Sequence, residues 1–326
     1  MTLELSCALV PGMDSPEHAR VAESLAYERA YFYDSPALYP DVWVQLCRAA
    51  ERTDRIILGP GVTVPSNRHP MTTASAIATL AQLAGPERVV VAVGTGFTAR
   101  VAMGKKALTW RETTAYLQAV QGLLRGEVVE WEGAPIAMLH SPGLAPERPL
   151  RVSWLVGAIG PKGKEVARQL GDGVIASPTP VPGFDWSALL AFGTVLGEGE
   201  DPDGERVLDA AAHAGGVMLH VLLDFGQLPD WAGEEWLSRY RSVAPERRHL
   251  AMHSGHLVHV NDYDRPYVTG QRLVEWGLAM PLQGWVEAFT RAEEAGATEF
   301  VYQPAGADIP RELEAVAKAH QRYIDR

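Results

Sequence analysis

Four short segments gather the small and polar residues that could bind a ligand or react. They are Tyr33-Asp34-Ser35-Pro36, the stretch from Gly59 to Pro70 (GPGVTVPSNRHP), Gly94-Thr95-Gly96-Phe97-Thr98, and Gly157-Ala158-Ile159-Gly160-Pro161-Lys162. The last has the makings of an anion site. A glycine-rich turn leads into a helix whose Pro161 suits the first helical position, leaving amide donors at the positive end of the helix dipole. Lys162 or Lys164 would add charge, and tight helix–strand packing is the competing explanation. The segment carries neither the G-x-G-x-x-G dinucleotide pattern nor the P-loop pattern. Gly94-Thr95-Gly96 fits either a cofactor contact or a plain turn. In the longest segment, His69 could polarise a bound group or cap the helix that starts at Pro70. Arg68 could meet a phosphate or carboxylate, or be an ordinary surface cation.

Each segment follows an apolar run of strand length. LELSCALV, AYFY, RIILGPGV, RVVVAVG, LRVSWLVG and DGVIAS read as six buried strands. Between them lie amphipathic stretches of helix length, the first opened by Asp14-Ser15-Pro16-Glu17. Continuous apolar strands separated by helices are the signature of a parallel sheet covered on both faces. Val128 to Met138 alternates around a glycine and predicts a hairpin laid on this scaffold. Beyond Pro178 the rhythm loosens. Trp186 to Leu196 predicts a helix, and ERVLDAAAHAGGVMLHVLL a seventh strand running into a helix. Residues 216–280 read as an insertion of helices and loops. Gly284 to Ala295 is a helix, TEFVYQP the last strand, and Pro310 to Ile324 the closing helix. The rhythm predicts an α/β fold, a (β/α)8 TIM barrel with a helical and loop insertion in its C-terminal half, as a single domain over 1–326. In such a barrel the loops after the C-terminal strand ends build the active site, which is where the four segments fall.

Bulk properties narrow the partners. The 326 residues carry a formal charge of −11, which disfavours nucleic acid or an anionic membrane as the main partner. Cys7 and Cys47 are the only cysteines, giving no disulfide framework and no metal spacing. The N-terminus has no basic leader region, and runs such as VVVAVG are too short to cross a bilayer, so a cytoplasmic protein is expected. His253, His256 and His259 tempt a metal reading, but an i, i+3, i+6 spacing around Gly255 is not that of a zinc helix, and no metal is expected. Their place in the insertion suggests that His253 or His256 faces a substrate at the barrel mouth. Trp110, Trp154 and Trp186 read as packed core or as the border of an apolar pocket.

LGPGVTVPSNRHPMTTASAIATLAQLAGPERVVVAVGTG, with YDSPALYPDVW before it and GAIGPKGKEVARQLGDGVIAS after it, resembles the bacterial luciferase-like flavin and deazaflavin oxidoreductases, in their methylenetetrahydromethanopterin-reductase-like branch. The resemblance covers about residues 3–178 and returns at GATEFVYQPAGADIP. It implies a non-proline cis peptide at Gly61-Val62, followed by Thr63, in a bulge that props the central ring of the cofactor. It implies that Gly94, Thr95 and Gly96 border the ring, and that Gly157, Ala158, Ile159, Gly160 and Ser177 cradle its phosphate. Asp34 would line the substrate side. Phe97 stands where many relatives have a small or acidic residue.

The expected function is hydride transfer between coenzyme F420 and a small organic substrate, with Asp34 and His69 handling protons beside it. The alternative is a monooxygenase using reduced FMN and a partner flavin reductase. A deazaflavin has carbon where a flavin has nitrogen, and so passes hydrides without the oxygen chemistry that a monooxygenase needs. A non-catalytic flavin-binding or interaction barrel is the reading outside enzymes. Relatives make a homodimer the expected assembly.

Overall fold

The apolar runs form eight strands: β1 (Glu4–Leu9), β2 (Arg29–Phe32), β3 (Ile57–Pro60), β4 (Val90–Val93), β5 (Ser153–Gly157), β6 (Gly173–Ala176), β7 (Ser187–Phe192) and β8 (Glu299–Gln303). The computed structural model describes residues 3–224, 226–228 and 230–326. Met1 and Thr2 of the N-terminal segment, and Phe225 and Pro229 within the stretch 216–280, lie outside the described residues. Among those described, the eight strands make one sheet in the order β3-β2-β1-β8-β7-β6-β5-β4. All of its ladders are parallel.

Around it lie α1 (Ser15–Ser24), α2 (Val42–Ala50), α3 (Pro70–Ala84), α4 (Trp110–Arg125), α5 (Pro161–Leu170), α6 (Glu205–Asp224), α7 (Leu282–Glu294) and α8 (Ile309–Ile324). The predicted hairpin pairs Val129–Trp131 with Ala134–Ile136. Local chemistry sets the helix ends. Asp41 accepts from the amides of Trp43 and Val44 at the start of α2, and Thr109 with Glu112 closes a reciprocal capping box on α4.

Alternation along the strands divides the core in two. Cys7, Leu9, Val91 and Val93 face the helices, whereas Ala8, Val90, Ala92, Leu155, Ala188 and Val301 fill the barrel. At the barrel floor Glu299 is fully buried. It accepts from Trp186 Nε1 (2.5 Å) and Tyr31 OH (3.2 Å), and Arg29 lies 3.5 Å away. Burial raises the Glu299 pKa, and the Arg29 charge opposes that rise.

The two edges of the sheet, β3 and β4, meet and close the barrel. Two isolated parallel bridges join them, Leu58 to Val89 and Thr63 to Val93. The chain advances from 58 to 63 on one side but only from 89 to 93 on the other, so β3 carries one extra residue, a bulge. Thr63 N–H donates to Ala92 O (2.6 Å) and Gly94 N–H to Thr63 O (3.2 Å). Gly59 makes the approach possible, since a Cβ there would lie 1.6 Å from the carbonyl oxygen of Val90.

The C-terminal half differs from the sequence expectation at two elements. Trp186 to Leu196 is not helical: Ser187–Phe192 is β7, and Thr194–Leu196 is a short strand pairing with Ala279–Pro281. Ala-Leu-Leu-Ala has good helix propensity, but β7 bonds to β6 and β8 on its two sides, and tertiary pairing wins. ERVLDAAAHAGGVMLHVLL holds no strand, and all of it lies in the 20-residue α6. Gly215-Gly216, a pair that disfavours helix, lies inside it. A Cβ on Gly215 would meet Val268 at 2.6 Å and one on Gly216 would meet Asp264 at 3.0 Å, so the pair lets another segment approach closely.

A second apolar core forms there from Val207, Ala211, Leu219, Trp236, Tyr240 and Leu273. α6 is also the one helix among the described residues with the length and apolarity of a bilayer crossing. Of that stretch 56% is buried within the fold.

Candidate active site

At the seam the peptide Gly61–Val62 is cis, at the place the resemblance implied. Gly61 N–H donates to Phe32 O (2.8 Å), and a Cβ on Gly61 would meet the Tyr31 side chain at 2.8 Å. The side chain of Val62 nests between two glycines. A Cβ on Gly94 would lie 2.8 Å from Val62 Cγ2, and one on Gly157 would lie 3.1 Å from Cγ1. Gly96 is left-handed (φ 74°), and a Cβ there would reach 2.3 Å from Val64. The glycines after β4 and β5 therefore fit around the bulge. Thr95 ties the loop down by accepting from Leu108 N–H (2.9 Å).

Asp34 organises the chain that follows. One carboxylate oxygen accepts from Thr63 Oγ1 (3.0 Å) and Val64 N–H (3.2 Å), and the other from Arg68 (3.0 Å). Arg68 is no idle surface cation, because it also pairs with Asp41. With both oxygens of a buried carboxylate engaged, Asp34 fixes the bulge and the loop beyond it. His69 is exposed and takes the capping role, its Nδ1 accepting from Met71 N–H (3.1 Å) at the start of α3. Its ring meets the edge of Trp131 from the hairpin, with centroids 6.2 Å apart.

The segment after β5 has the form of an anion cradle. Gly160 is the N-cap of α5 and has no side chain to satisfy the helix amides. The first bond of the helix runs from Lys164 N–H to Gly160 O (3.0 Å), so the Lys162 and Gly163 amides have no acceptor within the helix. A Cβ on Gly160 would meet nothing within 4 Å, which leaves open space at that end. Ala158 is buried and donates to Ile175 O, whereas Ile159 is exposed. Ser177 follows β6 at a cis bond to Pro178. Beside the cradle, a groove of about 670 Å³ runs between α4 and α5, lined by Trp110, Arg111, Lys162 and Val166 among others.

The segment 253–259 covers the barrel mouth. Tyr39 OH donates to His256 O (2.6 Å), and Gln303 Nε2, at the end of β8, to Leu257 O (3.0 Å). Leu257 packs with Tyr33 and Tyr39, and Val62 and Val217 border the same cluster. No three side chains among the described residues are placed to hold a metal.

Sequence reasoning missed a buried carboxylate beneath this segment. Asp264 accepts from Trp236 Nε1 (2.9 Å), Tyr240 OH (2.8 Å) and Asn261 Nδ2 (2.8 Å), and His220 Nε2 lies 2.9 Å away. The available signal was His213 and His220 seven apart on an apolar helix, two turns along one face.

Burial disfavours the charged form of His213, His253 and His256. It pushes His213 down to about 4, His253 to about 4 and His256 to about 3. In the unfolded chain each returns to about 6.5, so below that pH the unfolded state binds more protons. This contribution to stability is complete above about pH 6.5 and is lost as the pH falls toward about 4, at up to about 1.4 kcal/mol per pH unit and group. Melting temperature measured from pH 8 to 4 should fall across that window. His213→Asn, which cannot titrate, should flatten the fall.

Residues 13–188, more than half of the chain, match the family model described as luciferase-like monooxygenase. The chain belongs to the luciferase-like family. Over 214 residues it is 29% identical to a 5,10-methylenetetrahydromethanopterin reductase of Methanolobus tindarius, a match covering 63% of this chain and 61% of that protein. Over 279 residues it is 27% identical to an F420-dependent glucose-6-phosphate dehydrogenase of Kribbella flavida, covering 82% and 79%. The luciferase-like barrel is shared with the coenzyme F420-dependent tetrahydromethanopterin reductase of Methanopyrus kandleri, at a TM-score of 0.67, 17% identity and 98% coverage of both chains. The M. tindarius match spans about three-fifths of that relative's own length.

Proposed function

We propose that this chain is an oxidoreductase that binds coenzyme F420 and transfers a hydride between it and a small organic substrate at the barrel mouth. The observation that carries the reading is the bulge at the barrel seam, with Val62 nested against Gly94 and Gly157 beside an uncapped helix N-terminus. The names of the relatives favour the deazaflavin over FMN.

The residues present fit such a cofactor. Gly61, Val62 and Thr63 would support the ring, with Gly94, Thr95 and Gly96 along its edge. Gly160 and the Lys162 and Gly163 amides would hold a phosphate, helped by Ala158, Ile159 and Ser177 of the same cradle. When bound, F420 supplies two-electron hydride chemistry, while the protein supplies orientation and a dry surface. Asp34 acts by positioning: it holds Thr63 and Val64 under the ring and takes up the Arg68 charge. His69 fixes the start of α3.

Titrating the protein with F420 and with FMN, each oxidised and reduced, tests the reading by fluorescence and absorbance. Tight F420 binding is expected. Gly160→Asp should weaken it roughly tenfold to thirtyfold without changing the melting temperature, because the new side chain enters open space and places a like charge beside the phosphate. Preference for reduced FMN, with oxygen consumed, would make the chain a monooxygenase and overturn the choice of cofactor. The homodimer implied by the resemblance is a proposal of the same standing, tested by sedimentation velocity.

A further inference from the structure

The inner wall of the barrel changes character at its top layer. β8 turns Glu299, Val301 and Gln303 inward from floor to mouth, since Phe300 and Tyr302 pack outward against the helices. β2 likewise turns Tyr31 and Tyr33 inward on either side of the outward Phe32. On the facing wall Gly94 follows the inward Ala92, and Gly157 the inward Leu155, at the same spacing of two. In the ring of eight strands β8 stands four places from β4, so Gln303 lies across the barrel from Gly94. β2 pairs with β3 and sets Tyr33 beside the bulge, where the next residue, Asp34, holds Thr63. Val62 borders the same apolar cluster as Tyr33. One wall is thus reduced to glycine, and the other carries two polar side chains.

Both of those side chains are buried with a polar atom left over. Tyr33 and Gln303 are 8% and 0% exposed, and neither Tyr33 OH nor Gln303 Oε1 has a hydrogen-bond partner in the fold. The Gln303 amide cannot be turned over. Its Nε2 donates to Leu257 O (3.0 Å) and Pro304 O (3.3 Å), and a flip would set oxygen against both carbonyls. Leu257, in the segment over the mouth, is left-handed (φ 60°), a backbone that leucine keeps only where its surroundings enforce it. Folded proteins leave few buried polar atoms unpaired, and two at one end of a barrel, facing a cofactor seat, call for a ligand.

We propose that Tyr33 and Gln303 select the substrate by gripping a neutral carboxamide or lactam between the 253–259 segment and the bulge, an inference that rests on the F420 reading. Gln303 Oε1 can only accept, so the ligand must bring an N–H or O–H. The Tyr33 hydroxyl is free to donate to the ligand's own acceptor. β1 separates β2 from β8, which puts their backbones roughly 10 Å apart, so donor and acceptor on two atoms span the pair better than one hydroxyl oxygen. Asp34 has both carboxylate oxygens engaged, and burial disfavours charge on His253 and His256, so the space favours a ligand without charge. An uncharged group with donor and acceptor on neighbouring atoms is an amide.

The test starts from the F420 complex of the whole protein. Failure to bind F420 removes the cofactor reading and this proposal together, whereas the later steps bear on this proposal alone. Ligand-observed NMR titration then compares 2-piperidinone, its N-methyl derivative and cyclohexanol. The N-methyl derivative should bind about tenfold or more weakly than 2-piperidinone, because it leaves Gln303 Oε1 unpaired. Gln303→Met also frees Leu257 O, which loosens the covering segment for every ligand alike, so its readout is the ratio of the two lactam affinities, expected to fall to near one. Tyr33→Phe should weaken 2-piperidinone about tenfold at unchanged F420 affinity. Without ligand the same variant should keep its melting temperature or gain up to about 3 °C, since it deletes an unpaired buried hydroxyl. A lower melting temperature in Tyr33→Phe would mean that the hydroxyl is bonded within the fold, and would overturn the proposal. So would equal affinity for the two lactams in the parent protein, or cyclohexanol binding as tightly as 2-piperidinone.

Discussion

Gly59→Ala should yield no folded barrel. Its added methyl would sit 1.6 Å from the Val90 carbonyl oxygen and 2.7 Å from its carbon, and both are backbone atoms of the neighbouring strand. No rotamer change can relieve that overlap. Either β3 leaves β4, and the barrel opens, or the methyl cannot be accommodated. The expected cost exceeds about 4–5 kcal/mol, a large part of the stability of an ordinary domain. The measurement is soluble yield and far-ultraviolet circular dichroism, with Gly160→Ala as the control. Gly160 has open space around it, so its change should stay within about 1 kcal/mol of the parent. A cooperative melt of Gly59→Ala near the parent temperature would show that the seam is not closed as described.

Gly94→Ala should leave the barrel folded and cost most of its affinity for F420. Here the obstruction is a side chain, Val62 Cγ2 at 2.8 Å, so the fold can yield where Gly59 cannot. What yields is the bulge itself, because Val62 is also hemmed in by Gly157. A shift of a few tenths of an ångström in a preformed surface is expected to weaken F420 roughly a hundredfold, while the melting temperature falls by a few degrees. The pair Val62→Ala with Gly94→Ala removes the conflict and should recover much of the loss. If the double variant binds no better than Gly94→Ala, contact with Val62 is not why glycine stands at 94.

The barrel was legible where local chemistry and tertiary structure agree. In the first half, β-branched runs such as Val89-Val90-Val91 and well-marked helix starts such as Asp41 and Thr109 point to the elements that form. Ser187–Phe192 was illegible because a leucine- and alanine-rich strand between two partners owes nothing to its own propensity. The seventh strand expected within ERVLDAAAHAGGVMLHVLL fails for another reason, since its two glycines serve a close approach by Val268 and Asp264, some fifty residues away in sequence, within a continuous helix. Within the site, the segments at the strand ends and the bulge could be located from glycine and proline spacing together with the resemblance. The pairing of Asp34 with Arg68, and of His220 with Asp264, could not. Each joins residues whose separation carries no periodic signal, 34 positions in the first case and 44 in the second.

The closure of the barrel has a kinetic consequence. Every other pair of neighbouring strands shares a ladder, whereas β3 and β4, adjacent in the chain, meet at two isolated bridges. The Thr63 and Gly94 amides bond across that line. In the ligand-free protein they should exchange their hydrogens with solvent sooner than the amides of β1 or β8, which pair on both sides. A cofactor lying across the line would slow that exchange in proportion to its occupancy. Exchange rates at these two amides would then report cofactor binding directly, with no substrate and no turnover required.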